Sequence, residues 1–334
     1  MLLERRVLDM RLKNSDKTTI LVSGASGIVG YGILRSLKNA GCTLIGTTIY
    51  EESPADCFSD IVEIAPLTSD PGYLSWLIRT IQKYRVDMII PAIEADMSFW
   101  NKHRSELEAA GTFVLLNREE LINLCLDKWR FYQALIRAGF QHCIDSSVEP
   151  NFQRFLCPFI LKPRCGYGSR GIIKVENEKI FEAHRQEIGP TLMMQEFVGN
   201  EHEEYTVSAF FDKESNLCAT IALRRKLSKQ GFTEVAEVVF PEDLQGIIEE
   251  LAAILRPVGP TNFQFRKHNG QWKLLEINPR ISSATSIRTA FGYNESVMAV
   301  DYFLHGRKVV QPKIRSGHAI RYTEDYIFYD RDHI

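Results

Sequence analysis

Three stretches of the chain carry side chains suited to binding an anion or a metal ion. The first is Phe159-Ile-Leu-Lys162-Pro-Arg164-Cys-Gly166-Tyr-Gly168-Ser169-Arg170-Gly171. An apolar strand delivers Lys162 and stops at Pro163, and a loop with three glycines follows. Glycines let backbone N–H groups approach an anion closely, and Lys and Arg add charge. The pattern reads as a phosphate-cradling hairpin loop. It is not Gly-x-x-x-x-Gly-Lys-Ser/Thr, so it is not a P-loop. An ordinary glycine-rich turn is the plain alternative.

The second stretch runs from Asn262-Phe-Gln264-Phe through Asn269-Gly270 to Leu275-Glu276-Ile-Asn278-Pro-Arg280. Two alternating strands flank an Asn-Gly turn, a strong hairpin signal. Glu276 and Asn278 are two residues apart and share a strand face. A carboxylate beside a carboxamide suits Mg²⁺, which leaves its other positions to water and phosphate. Register decides whether Gln264 joins them. A two-residue turn pairs Phe263 with Glu276 and sends Gln264 to the wrong face. A three-residue turn or a one-residue bulge pairs Gln264 with Glu276 directly. The third stretch, Met193-Met-Gln195-Glu196-Phe197-Val198-Gly199, is a strand end whose backbone amides and one carboxylate could read an adenine edge between apolar walls.

These stretches need scaffolds. Residues 18–117 alternate strand and helix: strands at 18–23, 43–50, 87–93 and 112–116, helices at 28–39, 73–84 and 98–110. Such alternation implies a parallel, doubly wound sheet. Helices at 119–126 and 128–138 follow, the second N-capped by Asp127. Beyond Pro158 strands come in runs, at 158–163, 171–176, 191–198, 203–212, 218–227 and 234–239, interrupted by helices at 177–188 and 242–255. That grammar is α+β.

Taken in order, the three stretches resemble the ATP-grasp superfamily, most closely its carbamoyl-phosphate-synthase-like branch, over roughly residues 18–310. The resemblance implies an α/β Rossmann-like (pre-ATP-grasp) domain followed by an α+β ATP-grasp domain of two subdomains. The expected boundaries are 1–17 as a flexible extension, 18–117 as the first domain, 118–195 as a lid with the phosphate loop, and 196–334 as the metal-bearing subdomain. It further implies that Lys128 opens the ATP site, that Lys162 meets the α and β phosphates, and that Arg164 to Gly171, with Gly166, Gly168 and Ser169, close over them. Gln195 and Glu196 face the adenine, with Glu196 accepting from its amino group, and Phe197 and Val198 form the backbone hinge. Glu204 holds the ribose hydroxyls, with Glu201 and Glu203 as alternatives. Gln264, Glu276 and Asn278 match the metal positions for two Mg²⁺ ions, with Mn²⁺ able to substitute. Many relatives have a carboxylate where Gln264 stands. Arg280 contacts the transferred phosphoryl group. The implied activity is ADP-forming ligation of a small carboxylic acid, activated as an acyl phosphate, to an amine. Amino-acid ligation, sugar-acid amidation and ligation of a peptide-like precursor all fit. Carbamate phosphorylation is nearest by resemblance, but one ATP site and no ammonia-producing domain argue against a full synthase. Many relatives dimerise, so a homodimer is expected.

Four further residues are substrate candidates. Glu94 and Asp96 follow a parallel strand, where open α/β sheets bind ligands; N-capping by Asp96 is the alternative. Arg224, in Arg224-Arg225-Lys226, shares a strand face with Lys226 and not with Arg225. Arg288 is the candidate carboxylate clamp, since arginine binds carboxylates bidentately. His268, in the hairpin turn, is expected to be exposed. Gly24-Ala-Ser-Gly27-Ile-Val-Gly30 with Glu51 downstream allows a nicotinamide-dependent oxidoreductase, although tight packing of the turn accounts for the glycines equally. An ATP-binding module without turnover is the other alternative.

With 40 Lys and Arg against 42 Asp and Glu, the net charge of −2 offers no field for nucleic acid. Seven scattered cysteines without a Cys-x-x-Cys pair argue against disulfides or structural zinc and for a reducing cytoplasm. No apolar run is long enough for a membrane span. Residues 1–17 read as a loose extension, or as residues upstream of a start at Met10.

Overall fold

The computed structural model describes residues 17–166, 171–200, 202–228 and 230–328. The chain divides into two compact units. One comprises residues through Leu115 with Phe303–His305, and the other Leu116–Tyr302 with the residues from Gly306 onward.

The first unit is a parallel five-stranded sheet in the order β3-β2-β1-β4-β5. Its strands are β1 (Thr19–Val22), β2 (Thr43–Thr48), β3 (Ile61–Ile64), β4 (Met88–Ile90) and β5 (Phe113–Val114). Ile20, Leu21 and Val22 on the central strand are completely buried, as an apolar run between helical layers must be. The turn into the helix Ile28–Leu37 explains one glycine sterically. A Cβ on Gly30 would stand 2.2 Å from the carbonyl oxygen of Gly24, a contact that only glycine avoids. The expected helix over 98–110 is instead two, Glu94–Lys102 and Arg104–Ala109, the first entering with Glu94 and Asp96 in its first turn, where acidic groups favour the helix dipole. Strand β3 escaped the sequence reading because it is a short, half-exposed edge strand without a clear alternation.

The second unit holds two antiparallel sheets. The smaller has the order β6-β9-β7-β8, with β6 (Ser146–Ser147), β7 (Phe159–Pro163), β8 (Ile173–Val175) and β9 (Leu192–Glu196). It packs its own core of Phe159, Leu161, Val175 and Met194 under Phe181 of the helix Glu178–His184. The larger has the order β14-β13-β10-β11-β12-β15. These strands are β10 (Glu204–Phe211), β11 (Leu217–Leu227), β12 (Thr233–Val239), β13 (Gly259–His268), β14 (Gln271–Asn278) and β15 (His318–Ile320).

One expected boundary moves. Residues 118–145 do not belong to the lid. Phe131 and Leu135 of the helix Lys128–Arg137, with Phe140, share a core with Phe211, Leu251, Phe263 and Trp272 of the larger sheet and its helix Leu244–Leu255. The apolar face of that helix finds its complement on the big sheet, and hydrophobic burial, not chain order, decides membership. Asp127 caps this helix as anticipated, accepting from the backbone of Trp129 and Arg130.

Candidate functional site

A cleft in the second unit is walled by residues of both its sheets. From the smaller sheet, β7 contributes Lys162 and β9 contributes Gln195 and Glu196, followed by Phe197 and Val198. Strands β7 and β9 are antiparallel neighbours, which sets the lysine strand beside the hinge strand. Gln195 is buried and donates through Nε2 to Ser146 Oγ at 2.9 Å, which ties β9 to β6. Phe197 is exposed and carries the Lys174 ammonium over its ring at 5.9 Å, whereas Val198 is buried.

Lys162 is 8% exposed. Burial pushes its ammonium down to about 8; Glu276 opposes that shift and Lys128 adds to it. Lys128, at the head of its helix, also lines the cleft and donates through Nζ to the carbonyl of Gly166. Lys128, Lys162 and Arg266 thus line the cleft together with Glu196, Glu204 and Glu276, and the two ammonium groups are the charges suited to an anion.

The larger sheet supplies the opposite wall. The Asn269-Gly270 turn has two residues with left-handed φ, +51° and +76°, as a two-residue hairpin turn requires. Pairing runs from His268↔Gln271 to Phe265↔Leu274, and the register then shifts so that Gln264 stands opposite Glu276. A one-residue bulge therefore delivers the register that the metal reading demanded. Gln264 Nε2 donates to Glu276 Oε1 at 2.7 Å, and Asn278 Nδ2 reaches the same oxygen at 3.3 Å. Glu276 is the single carboxylate of the three. Among the described residues no group of three His, Cys, Asp or Glu side chains is placed to hold a metal ion unaided. A single carboxylate oxygen outside these hydrogen bonds, Glu276 Oε2, suits Mg²⁺, which takes few protein ligands and completes its shell with water and phosphate oxygens.

Glu204 also lines the cleft, but with both oxygens engaged. On β10 it stands across from Arg225 of β11 and Arg266 of β13. Arg225 Nη2 reaches Glu204 Oε1 at 3.0 Å and Arg266 Nη2 reaches Oε2 at 2.9 Å. Glu204 thus bridges two guanidinium groups at the cleft wall. Of its alternatives, Glu203 borders a separate hollow beside the hairpin turn, and Glu201 lies outside the described residues.

Other expected residues are placed elsewhere. Arg164 turns from the cleft to Asp127, at 2.6 Å, and to the Gly189 carbonyl, at 2.6 Å. Burial works against the charge of Asp127, but the Arg164 hydrogen bond and the backbone N–H groups hold its carboxyl below the usual range. Arg224 is exposed and pairs with Glu237 across β11 and β12; the inward residue of its triplet is Arg225. Strand alternation allows only one of the neighbours to face inward. Arg288 is fully buried and clamps Glu295 at 2.6 Å rather than a substrate. Asp96 is buried in the first unit, accepting from Thr68 at 2.6 Å and Tyr73 at 2.8 Å, while Glu94 precedes it at the helix start. The N-cap reading of Asp96 is corrected, since that helix begins after Ile93 and Asp96 lies within its first turn. His268 is half-buried and accepts from the Gly199 backbone N–H at 3.0 Å, so it fastens the hinge segment to the hairpin. Arg280 follows β14 and donates to the Ile281 carbonyl at 2.9 Å. Gly171 lies beside the Pro163 ring, which a Cβ there would meet at 3.0 Å. Gly168 and Ser169 lie outside the described residues.

Arg225 and Arg266 are the site residues that sequence reasoning passed over. Each looked like one charge among several on an alternating strand, and only the order β13-β10-β11 puts both beside Glu204.

Residues 22–115 match the family described as the PylC-like N-terminal domain, and residues 189–326 match that described as ATP-grasp in the biosynthetic pathway with Ter operon. The carbamoyl phosphate synthase large chain of Methanothrix thermoacetophila is 24% identical over 323 residues, covering 84% of this chain and 29% of that protein. The formate-dependent phosphoribosylglycinamide formyltransferase of Prochlorococcus marinus is 27% identical over 169 residues, 48% of this chain and 41% of its own length. The chain thus spans less than half the length of the curated relatives it matches. Biotin carboxylase from Campylobacter jejuni superposes with a TM-score of 0.72 at 18% identity, over 91% of this chain and 74% of that one. N5-carboxyaminoimidazole synthetase from Staphylococcus aureus, complexed with ADP, superposes with 0.71 at 17%, over 90% and 81%. At such identities the likeness is one of fold. A parallel-sheet domain, a small antiparallel sheet with a buried lysine, and a large one with a Gln264–Glu276–Asn278 face follow one another along the chain, and its residues 189–326 are similar to an ATP-grasp family.

Proposed function

We propose that the chain is an ATP- and Mg²⁺-dependent ligase that joins a small carboxylic acid to an amine, releasing ADP and phosphate. The observation that carries this reading is the facing of buried Lys162 and Lys128 by Glu276 across one cleft that also includes the hinge residues Glu196 to Val198. Adenine stacks between the hinge and apolar wall residues such as Ile144, Ile160 and Leu275, and the backbone of 196–198 reads its edge. Lys128 and Lys162 bind the phosphates. Glu276, with Gln264 and Asn278 beside it, would hold the cation, which would neutralise phosphate charge and polarise the transferred group.

The reaction is a displacement in two parts. A carboxylate oxygen of the acid attacks the γ-phosphorus, the bond from that phosphorus to the bridging oxygen breaks, and ADP leaves. The amine nitrogen then attacks the acyl carbon, phosphate departs, and the nitrogen gives up a proton. No covalent nucleophile from the protein is needed, because positioning and charge stabilisation lower both barriers. Arg280, beside Asn278, is the group proposed to stabilise the oxyanion of the second part.

Phosphate release from ATP and Mg²⁺, measured over a panel of carboxylic acids with and without pooled amines, tests the reading. Release that requires one acid and one amine is the expected outcome. A chain that binds no nucleotide under any of these conditions overturns it.

A further inference from the structure

The fold resemblance calls for two cations bridged by carboxylates, yet the side chains around Glu276 suit one. Gln264 stands where many relatives carry a carboxylate, and both ends of its carboxamide are committed. Its Nε2 donates to Glu276 Oε1 at 2.7 Å, and its Oε1 accepts from Arg225 Nη2 at 2.7 Å. Chemistry fixes this orientation. Turned over, the amide would set its oxygen against a carboxylate and its N–H against a guanidinium, and both hydrogen bonds would be lost. A carboxamide serves a metal only through its oxygen, and here that oxygen already serves a cation.

Arg225 is not a mobile surface charge that could swing aside. Its side chain is 5% exposed. Nε and Nη2 reach Glu204 Oε1 at 3.2 and 3.0 Å, and Nη1 reaches Thr233 Oγ1 at 3.4 Å. Breaking these bonds would strand a buried guanidinium.

The second carboxamide points the same way. Asn278 Nδ2 also donates to Glu276 Oε1, at 3.3 Å, so both carboxamides crowd one oxygen of the single carboxylate among these three residues. Among the described residues Glu276 Oε2 makes no hydrogen bond, and it is the oxygen left to a metal.

We propose that Arg225, relayed through Gln264, takes the place of the second cation, so that this chain binds a single divalent ion per nucleotide, on Glu276. The inference rests on the ATP-site reading above and deepens it.

The test is a count of ions. The full chain would be dialysed to equilibrium against Mn²⁺ and β,γ-methylene-ATP, with bound nucleotide and bound Mn²⁺ measured separately. Electron paramagnetic resonance on the same sample would report whether bound ions are spin-coupled. One Mn²⁺ per retained nucleotide, with an uncoupled spectrum, is expected. Two ions per nucleotide with a coupled spectrum overturn the proposal and leave the ATP site standing. Failure to retain nucleotide at all overturns the ATP-site reading, and the proposal with it. The double variant Arg225→Gln/Gln264→Glu restores a carboxylate and removes the guanidinium, and should rise to two coupled ions per nucleotide. Gln264→Glu alone should remain at one, because Arg225 neutralises the new carboxylate. A double variant that retains nucleotide but stays at one ion, or a second ion in Gln264→Glu alone, overturns the role assigned to Arg225.

Discussion

Arg225 and Arg288 are both buried, and both are paired with a buried glutamate, yet they belong to different kinds of cluster. Arg288 gives Nε and Nη2 to Glu295 Oε1 at 3.0 and 2.6 Å, and reaches Asn262 and Ser282 at 3.2 and 2.9 Å. Ser208 donates its hydroxyl to the other oxygen of Glu295. Every partner in this set is itself buried, so the cluster is closed. Arg225 instead binds Glu204 and Gln264, both of which line the cleft. Burial of an arginine is therefore not a sign of function. What separates the two is whether the groups they hold line a cleft.

That contrast is sharpened first by Arg288→Met. It leaves Glu295 buried with its charge uncompensated, and should cost about 3–5 kcal/mol in urea unfolding. Arg288→Met/Glu295→Leu should recover most of that loss, and a single variant that is nearly neutral would break the picture of a closed cluster. Glu276→Ala sits at the opposite pole. It should lower turnover by about 10²–10³-fold, judged against the loss of one charge-stabilising group elsewhere, while thermal unfolding stays close to that of the parent. Arg225→Met should fall between them in stability. Glu204 keeps Arg266, so the loss should be about 1–3 kcal/mol, again from denaturant midpoints.

Lys162 gives a smaller, pH-dependent signature. Burial depresses its ammonium to about 8, so below that pH the folded chain carries a buried charge that the unfolded chain solvates at no cost. Between about 8 and its ordinary value of 10.5 the unfolded state binds the extra proton, and stability should rise with pH over that window relative to Lys162→Met. Nucleotide affinity should run the other way. It should weaken above pH about 8, by at most about tenfold per pH unit, as the free site loses the charge that phosphate needs. A pH-independent dissociation constant from 7 to 10 would contradict this account. The smallest effect belongs to Arg224→Ala. Its exposed pair with Glu237 should matter by no more than about 1 kcal/mol, and turnover should not change.

The sequence made its strongest statements where chemistry and local pattern coincide. Lys162 at a strand end before a glycine loop, and Glu276 two residues from Asn278, were legible because period-two alternation fixes a face without any knowledge of neighbours. The bulge between Gln264 and Phe265 was not legible as a fact, but its necessity was, because an Asn-Gly turn counted strictly puts Gln264 on the wrong side. The surroundings of Arg288 and Asp96 were not legible for a shared reason: the buried partners that satisfy them, Glu295, Tyr73 and Thr68, are not immediate neighbours in sequence. By itself, the sequence determined the succession of a parallel α/β unit and an α+β unit, the local faces of their strands, and the family these imply. Tertiary structure alone decided which charges meet. Strand order brings Arg225 and Arg266 to Glu204 from residues 21 and 62 positions away, and pairing across sheets is set by the global burial of apolar faces, which no local period encodes.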